Sequence, residues 1–453
     1  MGASGGSGPQ SDLQLTSVEI CAGAGGQAVG LHEAGFRHLA LVEWDAYAVE
    51  TLRANVGHWP QWDEKRREKL EPQDVRNFIG SEQYKSLKSL DLGDDRLDLL
   101  AGGVPCPPFS LAGKRLGEDD ERDLFPDMLD IVEDLRPKAV MIENVRGILQ
   151  PPHVFIDYRR RILEKLGKFG YDVPYVDKEW SVERQDQAMR RVWRLLEARD
   201  FGVPQLRPRA ILVVIHKDFL GDQRFLWPKR LVGDVVSVKD VLEDSMRERC
   251  EQFWDKNKKG RRARPGERTG RHVFETWLEA AEKAEANSSD GVAPTLVGGS
   301  RKHGGADLGP TRAKRAWAAM GVDATGVAND PDECDPERDL FRPAGPMLTV
   351  EQAARIQGFP ADWKFQGRKT ARYRQVGNAF PPPVAEAVGR AIAAVLRPEE
   401  REKLLKRYVM DDEQAPETPE EDACQMSVFP ASALTETLPA SEDRSGDLIG
   451  ADS

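Results

Sequence analysis

Two reactive side chains fall where the surrounding residues would hold them still. Cys106 stands in AGGVPCPPFS, residues 101–110. Proline fixes φ and removes an amide donor, so this segment continues neither a helix nor an interior strand. The run before it, LDLLA at 97–101, reads as a short buried strand, which puts Cys106 on a stiff loop at a strand's carboxyl end. A free cysteine is also a small apolar core residue, and the loop alone does not decide between the two. Glu143, in IENV, ends another apolar run and should open into the same crevice, although a lone acid there is ordinarily a solvated strand end. A third element, EICAGAGGQAVG, carries Gly23, Gly25 and Gly26, which let backbone approach a ligand at a helix amino end. The spacing is not G-x-G-x-x-G, because Ala28 stands where the last glycine would be, so no pyrophosphate is demanded. Glu43, beside Trp44 and Asp45, is placed to accept ribose hydroxyls. Asp74 follows where an adenine amino group would be bound. Together they suggest an adenosyl cofactor next to a thiol and a carboxyl.

Such a crevice needs a scaffold, and the chain between 15 and 218 supplies one. SVEICAG (17–23), HLALVEWD (38–45), LDLLAGG, KAVMIENV (138–145) and the apolar run ending RAILVVIHK read as strands. Helix-like AYAVETLRANV and LFPDMLDIVEDL (124–135) lie between them. Alternation of this kind predicts an α/β fold with a mostly parallel sheet and helices on both faces. The expected division is a Gly/Ser-rich disordered start (1–13), a catalytic and cofactor-binding domain (14–218), and a loop-rich smaller domain (219–345). A segment completing the first domain (346–408) follows, with PPVAEAVGRAIAAVLRPEEREKLLKRY (382–408) as one long helix. Residues 409–453 read as an acidic disordered tail.

The net charge of −11 lies wholly in that tail: residues 411–453 hold twelve acids and one arginine, leaving the body neutral. Within the body, KNKKGRRARPGERTGR at 256–271 has eight basic residues against Glu267 and suits phosphate contact, or merely a solvated loop. Five cysteines, none in a C-x-x-C pair, support neither a disulfide framework nor a metal site. No apolar run suits a membrane span and no signal pattern opens the chain, so a cytoplasmic protein is expected.

PCPPFS around Cys106, ENV around Glu143, Q-x-R-x-R at Gln205–Arg209 and RQVGNAFPPPVA at 374–385 resemble the ordered motifs of the cytosine-C5 DNA methyltransferases. CAGAGGQAVGLHEAGF, EWDAYA and LTVEQAARIQGFPADW fall in that family's order too. The resemblance covers about 15–218 and 346–397, and the gap matches the family's variable target-recognition domain. It implies a class I, Rossmann-like methyltransferase fold and S-adenosyl-L-methionine as cofactor. Cys106 would add to C6 of a flipped cytosine, with Glu143 at N3 and Arg209 and Arg207 holding the base. Gly23, Gly25, Glu43, Trp44, Asp74, Asn378 and Ala379 would line the cofactor site. Thr295, Arg301, Lys302 and His303, among the glycines of VAPTLVGGSRKHGGADLGPTR (292–312), could enter a groove and read base edges, or belong to a plain surface loop. Two positions depart from the pattern: Glu19-Ile20-Cys21 replaces the usual Asp-Leu-Phe, and Pro107 replaces a frequent glutamine. The implied activity is sequence-specific DNA cytosine-C5 methylation of restriction–modification or phage type. The enzyme would act as a monomer on double-stranded DNA, with any cognate endonuclease acting separately. The rivals are a tRNA cytosine-C5 methyltransferase, which would lack so long a recognition segment and typically carry Cys-Phe-Thr, and a catalytically inactive DNA-binding homologue. A dinucleotide dehydrogenase would leave Cys106 and Gly377–Asn378 unexplained.

Overall fold

Strands that are apolar on both faces must be covered on both faces, and the sheet here follows that rule. The computed structural model describes residues 14–59, 61–90, 96–105, 123–287, 290–298 and 306–411. Its main strands are β1 (Leu15–Ile20), β2 (Phe36–Val42), β3 (Leu99–Gly102), β4 (Ala139–Val145), β5 (Trp193–Glu197) and β7 (Pro208–Ile215). The two-residue β6 (Gln205–Leu206) lies outside this sheet. The order is β2-β1-β3-β4-β7-β5, with β2, β1, β3 and β4 parallel and β7 antiparallel to both of its neighbours.

Two consequences matter for chemistry. The order of addition reverses at β1, with β2 on one side and β3 on the other, so the carboxyl ends of these strands border a ligand crevice. Because β7 runs backward, its beginning, not its end, reaches that edge: Val145 of β4 pairs with Arg209 and Glu143 with Ile211.

Alternation within the strands divides the core. On one face Val18, Ile20, Val140 and Ile142 pack with the helices Phe125–Leu135 and Pro152–Lys168. On the other, Leu99, Ala101, Met141 and Val213 meet Val384, Val388 and Ile392 of the helix Pro382–Leu396. A third cluster joins Ala28, Val49 and Leu52 to Leu242, Met246, Phe274, Trp277, Trp317 and Phe359. Residues from the expected recognition segment thus share one apolar cluster with the cofactor-side helices.

The stretch 219–345 carries more helix than its sequence pattern suggested: Val238–Glu251, Gly270–Glu285 and Thr311–Ala319. Ser237 with Asp240 and Thr269 with His272 form capping boxes that start the first two. The single long helix expected over 382–408 is not formed. It stops at Leu396, because Pro398 lacks an amide donor and restricts Arg397, and a short helix Arg401–Leu405 follows. Tyr408–Met410 then pairs antiparallel with the strand Pro228–Leu231. The expected tail boundary at 409 is therefore corrected. Val409 and Met410 are in a strand, and the Asp411 carboxylate lies 2.9 Å from Arg194 and 3.6 Å from Lys229.

Candidate active site

The crevice at the end of β1 is built by a turn and one carboxylate. Gly23 and Gly25 both take positive φ, +55° and +90°. A Cβ on Gly23 would meet nothing within 4 Å, so this glycine leaves open space where a ligand can approach the backbone. Gly25, expected beside the cofactor, meets a different demand: its Cβ would lie 2.8 Å from the Trp363 ring and 2.9 Å from Leu52. Gly26 is tighter still, with Phe380 O at 2.2 Å from the position of a Cβ.

Glu43 follows β2 and accepts three amides, from Gly23 (2.7 Å), Trp44 (2.9 Å) and Asp45 (2.8 Å). Burial raises its pKa and these N–H groups pull it back down. Oε1 takes two of the bonds and Oε2 one, which leaves Oε2 able to accept a hydroxyl. Trp44 beside it is 74% exposed, a free aromatic surface at the lip. Asp74 is engaged locally: it caps the turn at Val75 and pairs with Arg76 at 2.5 Å, which lowers its pKa.

The field at this turn is negative. Burial, and then the charges of Glu43, Asp74, Asp127 and Glu19, push the Cys21 thiol far above its usual range. Glu19 is fully buried beneath the turn with neither carboxyl oxygen hydrogen-bonded; burial and then Glu43 raise its pKa well above the ordinary value. An open glycine face, a carboxylate with a spare lone pair, an exposed indole and negative surroundings fit an adenosyl group bearing positive charge.

Further along the sheet edge, Arg209 Nε lies 2.8 Å from Glu143 Oε1, with both side chains nearly buried. Burial is the largest influence on Glu143 and raises its pKa, against the opposing charges of Arg209 and Arg207. Its other oxygen lies 3.3 Å from where a Cβ on Gly103 would stand, so the carboxyl overhangs the exit of β3. Asn144 Nδ2 donates to Val104 O at 2.7 Å and pins the same exit against β4. Cys106 lies two residues beyond Val104 in the chain and falls outside the described residues, as do Arg301, Lys302 and His303.

Arg207, expected to hold the base, is fully buried and its guanidinium is committed elsewhere. Nη1 donates to Leu296 O (2.6 Å), and Nη2 to Gly377 O (2.7 Å) and Ala379 O (2.9 Å). It ties three chain segments together, a positioning task. Asn378 and Ala379 end the helix Lys369–Asn378. Gly298 packs so closely on Asn378 that a Cβ there would stand 2.2 Å from Oδ1. Thr295, half-buried, donates its hydroxyl to Leu206 O.

Gln205 and Gln357 lie within the sequence motifs without a role that the sequence assigns. Gln205 accepts from Leu296 N (2.7 Å) and donates to Gln357 Oε1 (2.6 Å), and Gln357 donates to Ala379 O (2.5 Å). This buried relay couples the segment at 296 to the one at 379. Its signal was the clustering of amide side chains in quoted motifs.

A family described as C-5 cytosine-specific DNA methylase matches residues 15–394. The chain is 44% identical over 386 residues to the Type II methyltransferase M.NaeI of Lentzea aerocolonigenes, covering 85% of this chain and 76% of that one. It is 41% identical over 391 residues to the Type II methyltransferase M.NgoMIV of Neisseria gonorrhoeae, covering 85% of this chain and 100% of that one. Among solved structures, a DNA modification methyltransferase encoded within an E. coli prophage aligns with a TM-score of 0.47 and 21% identity, over 84% of this chain and 99% of that one.

Proposed function

The chain belongs to the C-5 cytosine-specific DNA methylase family and methylates DNA cytosine at C5 in a sequence-specific manner, and from that premise we propose which residues perform the reaction. Cytosine C5 is a weak nucleophile while its ring is aromatic. The Cys106 thiolate adds to C6 of an extruded cytosine, which breaks the aromaticity and makes C5 enamine-like. Glu143, whose pKa burial raises, hydrogen-bonds N3 and offsets the charge that develops as sulfur attacks. Arg209 fixes the orientation of that carboxyl and contributes positive charge beside the base. S-adenosyl-L-methionine, when bound, supplies the electrophilic methyl group. Gly23, Glu43 and Trp44 would hold its adenosyl part, with Asp74, Asn378 and Ala379 bordering it. Loss of the C5 proton then lets the Cys106 sulfur leave.

The observation that carries this reading is the Glu143–Arg209 pair at the exit of β3, pinned by Asn144 two residues before the cysteine loop. Thr295, Arg301, Lys302 and His303 form the proposed base-reading loop, and residues 256–271 a phosphate-contacting patch. In this reading the enzyme is a restriction–modification methyltransferase. It works as a monomer in the cytoplasm, on nucleoid DNA, and any cognate endonuclease acts separately. Among the described residues no helix is long and apolar enough to cross a membrane.

A duplex library covering all short sites, with cytosine replaced by 5-fluorocytosine, tests the assignment. Fluorine cannot leave as the proton does, so the protein should become covalently trapped on its own site in the presence of the methyl donor. Cys106→Ala should not. Absence of any trapped species with the intact protein would sink the assignment of Cys106.

A further inference from the structure

Strand β5 ends at Glu197, which lies across the ladder from Pro208, between the two arginines of the Q-x-R-x-R segment. Its side chain folds back so that one oxygen, Oε1, accepts two backbone amides: Ala198 N at 3.1 Å and Arg207 N. Ala198 N also reaches Arg207 O at 3.3 Å, so β5 and the start of β7 meet through a tight backbone clasp. From that clasp the chain runs one way into the Arg207 guanidinium, bonded to the carbonyls of Leu296, Gly377 and Ala379. Two residues the other side of Arg207 N, Arg209 reaches Glu143.

We propose that Glu197 is a positioning residue, which sets the Arg209–Glu143 pair by fixing the backbone at Arg207. The inference rests on the reading that Glu143 and Arg209 serve the methyl transfer. An amide side chain could accept the same two N–H groups through its single oxygen, so hydrogen bonding alone does not require an acid here. The charge has its own surroundings: Asp200 and Arg199 on the turn that follows, and Arg207 across the ladder, while Arg230 of the neighbouring strand acts on Asp200. Burial dominates and pushes the carboxyl up to about 7, against the two amide bonds. In its ionised form Glu197 helps hold the Arg207 cation, which burial and the like charge of Arg209 otherwise disfavour. One side chain therefore supplies geometry at any pH and charge only above neutrality.

The test compares the full-length enzyme with Glu197→Gln and Glu197→Ala, following tritiated methyl transfer to the short-site duplex library as a function of pH. Glu197→Ala should lower kcat about tenfold, or about 1.4 kcal/mol of barrier, with KM changed less than about threefold. Glu197→Gln should recover most of kcat, because its oxygen restores the clasp. The wild-type kcat–pH curve should show an inflection near neutrality that the Glu197→Gln curve lacks. A folded Glu197→Ala enzyme with wild-type kcat would overturn the proposal, and so would Glu197→Gln being as impaired as Glu197→Ala. If the alanine variant does not fold, the glutamine curve decides: loss of the inflection supports the proposal and its retention defeats it. A wild-type enzyme that transfers no methyl group to any duplex would instead remove the underlying reading.

Discussion

At the scale of single residues, the site is governed by where burial outweighs neighbouring charge. Burial raises the Glu143 pKa even with Arg209 at 2.8 Å, the direction that favours a proton donor to N3. Glu143→Gln should lower kcat by about a hundredfold or more, the usual scale for a lost acid–base group. Affinity for duplex DNA should stay within about threefold, and equal losses in binding and turnover would argue against the assigned role. Glu19 supports a different prediction. Its folded-state pKa lies well above 4.5, so the folded protein binds more protons than the unfolded chain over that interval. The stability associated with Glu19 is fully present below about 4.5 and is lost as pH rises through the folded value. Glu19→Gln removes the titration, so its Tm advantage over wild type should widen from about pH 5 upward. Parallel Tm–pH curves would contradict this. Glu143 and Arg209 were legible because they sit in quoted motifs. The burial of Glu19 and Glu197 was not, because packing from distant segments decides it. The same holds for Arg207, whose three carbonyl partners come from positions about 90 to 170 residues away.

At the scale of elements, the strands were legible where apolar runs ended at glycine, proline or an acid, as at Gly102, Glu143 and Pro208. In the first helix of 219–345, Val238, Leu242 and Met246 recur at helical spacing among many charges, and the buried face was obscured because Arg249 is part of it. Its guanidinium donates to Met347 O at 2.9 Å and to Gln352. Such a residue reads as surface until its partner segment is known. The turn after β1 separates two kinds of glycine, and substitution should show it. Gly26→Ala drives a methyl into Phe380 O and should cost about 1–3 kcal/mol of stability in denaturant unfolding. Gly23→Ala has room, at about 1–2 kcal/mol for its positive φ, but its methyl would intrude on the proposed adenosyl space. Titration calorimetry with S-adenosyl-L-methionine should show affinity lost in Gly23→Ala beyond that seen in Gly26→Ala. The reverse order would place the cofactor elsewhere.

For the molecule as a whole, the described body closes with a strand that the sequence reading had assigned to the tail. Tyr408–Met410 and the Asp411 ion pairs fasten the chain to Pro228–Leu231 and to Arg194. A chain cut before Tyr408 should therefore melt a few degrees below one cut after Asp411 in scanning calorimetry, and equal melting would show that this strand adds nothing. The reversed direction of β7 has a broader consequence. Side chains on a strand change face with every residue, so a slip of one position along β4 would swing Arg209 away from Glu143 and exchange Val213 and Val214 between the two cores. The sheet thus acts as a ruler for the chemistry. A misaligned chain would lose its Glu143–Arg209 pair and its core packing together, so faulty copies would be silent and short-lived instead of marking the wrong bases.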